Sequence, residues 1–212
     1  PEETFNTGGQ FTKKWNVNAQ AFADVAVMKD LNWLTKAAVS FYNEEYKMRQ
    51  FATTSYAYQP NANGEYVQVS NGNPQFFGLQ QTSVRDIRYT LFSTLNYTKT
   101  FASNHNLGVL GGYEQQNFRG TNIGGNRYDF PNNTIIELNG SGPLNQSLSG
   151  SANEWALRSL FGRLNYSFKE KYFLEGNIRY DGTSRVDPKY RWGIYGGGSA
   201  AWLASREYFI KN

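Results

Sequence analysis

The stretch Leu160-Phe-Gly-Arg-Leu-Asn-Tyr-Ser-Phe-Lys-Glu-Lys-Tyr-Phe-Leu-Glu-Gly-Asn-Ile-Arg-Tyr-Asp181 decides the fold. Its first run sets Leu160, Gly162, Leu164, Tyr166 and Phe168 against Phe161, Arg163, Asn165 and Ser167. After Lys169-Glu170-Lys171 the alternation resumes, with Tyr172, Leu174, Gly176, Ile178 and Tyr180 against Phe173, Glu175, Asn177, Arg179 and Asp181. A period of two marks a strand, because successive side chains leave a pleated backbone on opposite sides. The short polar break between the runs reads as a hairpin turn.

The same split recurs along the chain. Trp15, Val17, Ala19, Ala21, Ala23, Val25 and Val27 oppose Lys14, Asn16, Asn18, Gln20 and Asp24. Trp33, Thr35, Ala37, Val39 and Phe41 oppose Lys36, Ser40 and Tyr42, and Ile87, Tyr89, Leu91, Leu95 and Tyr97 oppose Asp86, Arg88, Thr90, Thr94 and Asn96. Leu107, Val109, Gly111 and Tyr113 oppose Asn106, Glu114 and Gln116; Trp192, Ile194, Ala200 and Trp202 oppose Arg191, Tyr195 and Ser199. These patterns predict seven strands, over 12–28, 32–50, 84–101, 105–119, 155–169, 171–184 and 190–204. They are longer than the roughly 5–6 residues usual in globular proteins. Each has room for the roughly 9–11 residues that cross a bilayer at a tilt.

Connections alternate between short (near 28–31, 101–105 and 169–171) and long (51–83, 120–154 and, more modestly, 185–189). Short turns at one end and long loops at the other are the habit of outer-membrane barrels. Apolar runs also begin and end on aromatics: Trp192 and Trp202, Tyr172 and Tyr180, Tyr89 and Tyr97. The two tryptophans are ten residues apart. At ~3.3 Å per residue and a tilt near 40° they span about 25 Å, the height of a barrel's apolar band between its aromatic girdles. Gly162, Gly176, Gly196, Gly198, Ala19 and Ala21 sit on the apolar face, where a close-packed protein core would demand volume. The expected fold is therefore all-β: an antiparallel meander of about seven long strands forming part of a large transmembrane β-barrel. Lys14, Asp24, Lys36, Asp86, Arg88, Glu114, Arg163, Glu175, Arg179 and Arg191 then face the lumen, where charge costs little. An open seven-stranded sheet would leave backbone groups unpaired in hydrocarbon, and single-chain barrels have at least eight strands. The 212 residues start at Pro1 and stop at Asn212 without a leader or a breaker, so they read as one partial barrel domain, 1–212, of a longer protein.

Trp155 through Arg185, with Arg191-Trp192-Gly193 and Ser199-Ala200-Ala201-Trp202, resembles the SusC/RagA family of TonB-linked outer-membrane proteins of Bacteroidetes. Phe130-Pro131-Asn132-Asn133 and the Leu107–Tyr113 strand resemble it too, so that the likeness is specific over 84–212 and looser over 1–83. Tyr195-Gly196-Gly197-Gly198 departs from it, and these glycines are expected at a bend or a close contact. The resemblance implies a large barrel of about 22 strands with a plugged lumen. It implies import of glycan oligosaccharides or peptides across the outer membrane of a Gram-negative, Bacteroidetes-like cell. The partners it implies are a SusD-like lipoprotein lid, outer-membrane lipid and the TonB complex, the last reached through an N-terminal region outside these residues. A siderophore or cobalamin receptor is the neighbouring alternative, and a soluble β-rich carbohydrate-binding module the rival from another class.

Composition excludes other chemistry. The chain has no Cys and one His, so it offers no thiolate or two-imidazole metal site, and neither a cofactor nor a metal is expected. Twenty-one Lys+Arg against 17 Asp+Glu give +4, but the basic residues are scattered, against a nucleic-acid partner. Glu44 and Glu45 are adjacent and point to opposite strand faces, so they cannot flank one bond as glycosidase carboxylates do. Gly124-Gly125-Asn126 and Gly196–Gly198 do not join a strand to a helix, as a phosphate cradle would require. His105 is expected in a solvated turn, far from any Ser/His/Asp trio. No enzyme activity is expected. The binding candidates are aromatics of the long loops: Tyr56, Tyr58, Tyr66, Phe76, Phe77, Tyr128 and Phe130. Their flat faces suit sugar rings, and packing of the loops or against a lid is the other role open to them.

Overall fold

The computed structural model describes residues 8–51, 55–70 and 78–210. Its strands are β1 (Gly8–Met28), β2 (Leu31–Gln50), β3 (Ser55–Tyr56), β4 (Gln68–Ser70), β5 (Gly78–Phe101), β6 (His105–Tyr128), β7 (Gln146–Phe168), β8 (Tyr172–Thr183) and β9 (Trp192–Trp202). Seven form one antiparallel meander in the order β1-β2-β5-β6-β7-β8-β9, and β3 pairs with β4 as a separate ribbon. The only helical pieces among the described residues are single 3-10 turns at Leu138–Gly140, Pro188–Tyr190 and Ala204–Arg206.

Two long connections are shorter than the pattern predicts. β6 continues to Tyr128 and β7 begins at Gln146, so the loop expected over 120–154 shrinks to 129–145. β5 likewise starts at Gly78 rather than at 84. Gln146–Glu154 is exposed throughout. Where neither face is covered, alternation has no cause, while the backbone ladder pairs regardless of side chain. β9 starts one residue after Arg191, because Pro188-Lys189-Tyr190 forms a turn whose Asp187 carboxylate accepts from the Lys189 amide.

The hairpin between β7 and β8 turns on Lys169 and Glu170, both at positive φ (50° and 51°). Two left-handed residues make the primed turn that matches strand twist. Ala102 (φ 48°) and Ser103 (φ 58°) do the same between β5 and β6. This turn is so tight that His105 is already the first residue of β6. It is not solvated as expected: its ring stacks on Phe101 at 5.2 Å, and Nδ1 lies 2.7 Å from the Tyr166 hydroxyl.

The chain divides into two compact units. One holds the described residues of Pro1–Val17, Phe41–Asp86 and Gly120–Asn153; the other holds those of Asn18–Ser40, Ile87–Arg119 and Glu154–Asn212. In the second, β7, β8 and β9 pair in continuous register, for example Leu164↔Gly176↔Gly198 and Arg163↔Asn177↔Gly197. Leu160, Leu164, Leu174, Ile178, Ile194 and Trp202 therefore share one face, and Arg163, Glu175 and Arg179 share the other. The ladder passes through Gly196–Gly198 without a register shift, so these glycines mark no bulge. The apolar face has no cover: Leu164 is 49% exposed, Leu174 56% and Ile178 57%. Among the described residues Leu79 is the only buried apolar side chain.

Non-glycine residues at positive φ cost roughly 1–2 kcal/mol each. Replacing Lys169-Glu170 by Asn-Gly is expected to stabilise the β7–β8 hairpin. Urea refolding in lipid should show a higher midpoint for the double variant, with an unchanged slope.

Candidate functional site

In the unit containing β8 and β9, the polar face carries a connected charge network. The Arg179 guanidinium pairs with Glu114 (3.2 Å) and Asp181 (2.7 Å), donates to the Ser159 hydroxyl (2.9 Å), and lies over the Phe161 ring. Phe161 stacks on Phe92 and its ring fills the space above Gly112, so that a Cβ there would sit 2.3 Å away. Arg163 and Glu175 are exposed and line a cleft of about 510 Å³ with Asn165 and Ser199, but they form no ion pair with each other. Arg88 lies over Phe118 and Trp155. Arg191 precedes β9, donates from Nε to the Val186 carbonyl, and lines a smaller hollow with Arg158 and Trp192. Asp86 is half-buried on β5, in the other unit.

The short-turn end of this unit is tied by Glu207. Its carboxylate accepts from Lys171 Nζ (2.9 Å), the Tyr172 hydroxyl (2.8 Å) and Trp202 Nε1 (3.3 Å). The bonds from Lys171 and then Tyr172 hold its pKa down at about 2.

The other unit is organised around Arg49, at the end of β2. Only 6% of its surface is exposed. Nε donates to the Ile135 carbonyl (3.2 Å), Nη2 to Asn132 (3.2 Å), and Nη1 to Gln50 (2.8 Å) and Gly78 (3.2 Å). The guanidinium stacks 4.0 Å over Phe130. Lys47 adds a bond to the Ile136 carbonyl and an ion pair with Glu137 (3.2 Å). Two cations of one strand thus clasp the segment 130–137. Burial lowers the Arg49 pKa from its ordinary range, but a guanidinium stays charged at any working pH. On the same unit Glu44, within β2, pairs with Lys14 (3.4 Å) and accepts from the Tyr42 hydroxyl.

The described loop aromatics differ in exposure. Tyr56 (on β3), Tyr58 and Tyr66 are exposed, Tyr58 almost entirely at 96%. Tyr128 and Phe130 are half-buried: the Tyr128 ring covers Gly78, and Phe130 lies under Arg49. Phe76 and Phe77 lie outside the described residues.

No family model matches the chain. TonB-dependent receptor P3 of Formosa agariphila is 32% identical over 119 residues, 56% of this chain and 12% of that protein. TonB-dependent receptor SusC of Bacteroides thetaiotaomicron is 39% identical over 56 residues, 26% of this chain and 6% of that protein. The solved RagAB peptide transporter superposes with a TM-score of 0.82 at 19% identity, over 97% of this chain and 21% of that one. This chain resembles a segment of the SusC/RagA-type TonB-dependent receptors. It spans about 12% of the length of the first such receptor it matches. The likeness to RagAB carries the fold: a stretch of seven meandering strands within a larger chain.

Against that SusC/RagA-type frame, Arg49 is the residue that sequence reading misses. It closes the β2 alternation in a run, Glu45-Tyr46-Lys47-Met48-Arg49-Gln50, that gives no sign of burial. Its partners are backbone carbonyls, two of a distant loop and those of Gln50 and Gly78, and carbonyls leave no mark in sequence.

Removing Arg49 takes away its two bonds to 130–137 and its bond to the buried Gly78 carbonyl, where an unsatisfied acceptor costs about 1–3 kcal/mol. Arg49→Ala should open 130–137 to limited proteolysis, while amide exchange across β7–β9 stays as in the parent. The Glu207 tether has a definite pH sign. Its folded pKa lies below the ordinary 4.5, so its contribution is full above that value and is lost as pH falls through about 2. Protection of the 203–210 amides relative to their intrinsic exchange rates should fall through that window, and Glu207→Gln should show the low protection already at neutral pH.

Proposed function

We propose that this chain is barrel wall and loops of a TonB-dependent importer in the outer membrane of a Bacteroidetes-like cell, moving glycan oligosaccharides or peptides. The observation that carries the reading is a sheet with one continuous, uncovered apolar face and almost no core of its own. Each Leu or Ile on it is worth about 1.5–3 kcal/mol once removed from water, so the face demands an apolar medium. On β9, Trp202 (55% exposed) and Trp192 (48%) bound that face. The sequence likeness to TonB-dependent receptors supports the same placement.

The polar face, with Asp86, Arg88, Glu114, Arg163, Glu175 and Arg179, faces the lumen and its plug in this reading. Arg191 stands at the rim. Tyr56, Tyr58 and Tyr66 project from the loops toward substrate or a SusD-like lid, whereas Tyr128 and Phe130 support the loop clasp. Energy comes through the TonB complex, engaged by an N-terminal region of the intact protein. The segment's own task is architectural, without catalysis.

The test is uptake by cells carrying the intact gene. Deleting the gene or disabling TonB should abolish growth on the cognate oligomer, and Glu175→Lys should lower uptake while the receptor still reaches the outer membrane. Growth unaffected by either deletion, or Glu175→Lys receptor that fails to fold, contradicts the reading.

A further inference from the structure

One cluster on the polar face is not consumed by the ion-pair network. Trp155 stacks on Phe118, ring centroids 5.3 Å apart and 15° from parallel. Arg185, in the β8–β9 connection, lies 4.3 Å from the Trp155 ring, and Arg88 lies 5.7 Å from it and 5.8 Å from Phe118. The two guanidinium carbons are thus no more than about 10 Å apart. Arg119, Arg179 and Arg206 each hold a carboxylate within 4 Å. Among the described residues Arg88 and Arg185 hold none, and both are exposed.

A guanidinium that lies over a ring and holds no carboxylate leaves its N–H donors free, and arginine presents them as a planar fork. That is the geometry for bidentate capture of a carboxylate or sulfate. The register places the cluster along the strands. Leu157 pairs with Thr183 and Gly182 with Trp192, so Trp155 lies just beyond the level of the outer girdle tryptophan. In the proposed barrel this is the mouth of the lumen.

We propose that Arg88 and Arg185, held by Trp155 and Phe118, form a subsite for an acidic oligosaccharide, gripping ring-borne carboxylate or sulfate-ester groups. The proposal rests on the import reading and names its substrate class. One common mode of peptide capture adds the peptide as a strand to an open sheet edge. The cluster sits on β5, β6 and β7, each flanked by strands on both sides, so no backbone edge is free there. Only side chains are on offer, which suits a sugar acid.

The test uses the intact receptor, purified in detergent, titrated calorimetrically with trigalacturonate, a sulfated heparin tetrasaccharide, maltotriose and hexaglutamate. At least one acidic saccharide should bind at least tenfold tighter than maltotriose and hexaglutamate, with the advantage shrinking in high salt. Arg88→Gln with Arg185→Gln should erase that advantage, and Arg185→Lys should recover only part of it, because an ammonium lacks the fork. Equal affinity for acidic and neutral sugars, an unaffected double variant, or hexaglutamate binding as tightly overturns the proposal. Uptake in cells with and without TonB is scored separately, so loss of the acidic preference in a TonB-dependent importer sinks this subsite alone. TonB-independent uptake sinks the import reading.

Discussion

Everything in this structure follows from an apolar sheet face that no layer of the described residues covers. A sheet on its own must bury one face against something, and the usual solution is a second layer. Here Leu160, Leu164, Leu174, Ile178 and Ile194 stand open, and among the described residues a single leucine is buried. The polar face explains the choice of medium. It carries Arg179, Glu114, Asp181, Arg163 and Glu175, charges that would be costly in a dry core and cheap beside water or a polar partner. One face for lipid and one for an aqueous interior is the division of labour of a membrane barrel.

Long strands are the second consequence. A chain in hydrocarbon must satisfy every backbone donor and acceptor through the ladder. Unbroken ladders do that here: β7, β8 and β9 pair without a shift over the length of β9. The strands continue past the alternating stretches because pairing is set by backbone and patterning by surroundings. Loops then take over, and the one best fixed is 129–145, where Arg49 and Lys47 reach across from β2.

The meander, the faces and the short turns were legible in the sequence because a period of two reports burial on one side of a strand. Leu160–Tyr180 alone contains the hairpin, its turn and both faces. The ends of β6 and β7 were hidden: Gln146–Asn153 is exposed on both sides, and Gly120–Tyr128, largely half-buried, carries no period of two. The charged residues could be assigned to a face but not to partners: nothing in sequence tells Arg179, tied to Glu114 and Asp181, from Arg88, lying over rings. Loop aromatics showed the same limit. Sequence leaves Phe130 open to binding or to loop packing, and the structure sets it beneath Arg49, because a loop's packing depends on which distant strand end it meets.

The central claim is that the even positions of β8 face lipid and the odd ones an aqueous lumen. The chain contains no cysteine. Single replacements Phe173→Cys through Ile178→Cys in the intact receptor, spin-labelled and read for collision with oxygen and with a water-soluble nickel chelate, test it directly. The account predicts oxygen-dominated relaxation at 174, 176 and 178 and nickel-dominated relaxation at 173, 175 and 177. The opposite phase, or no period of two, contradicts it.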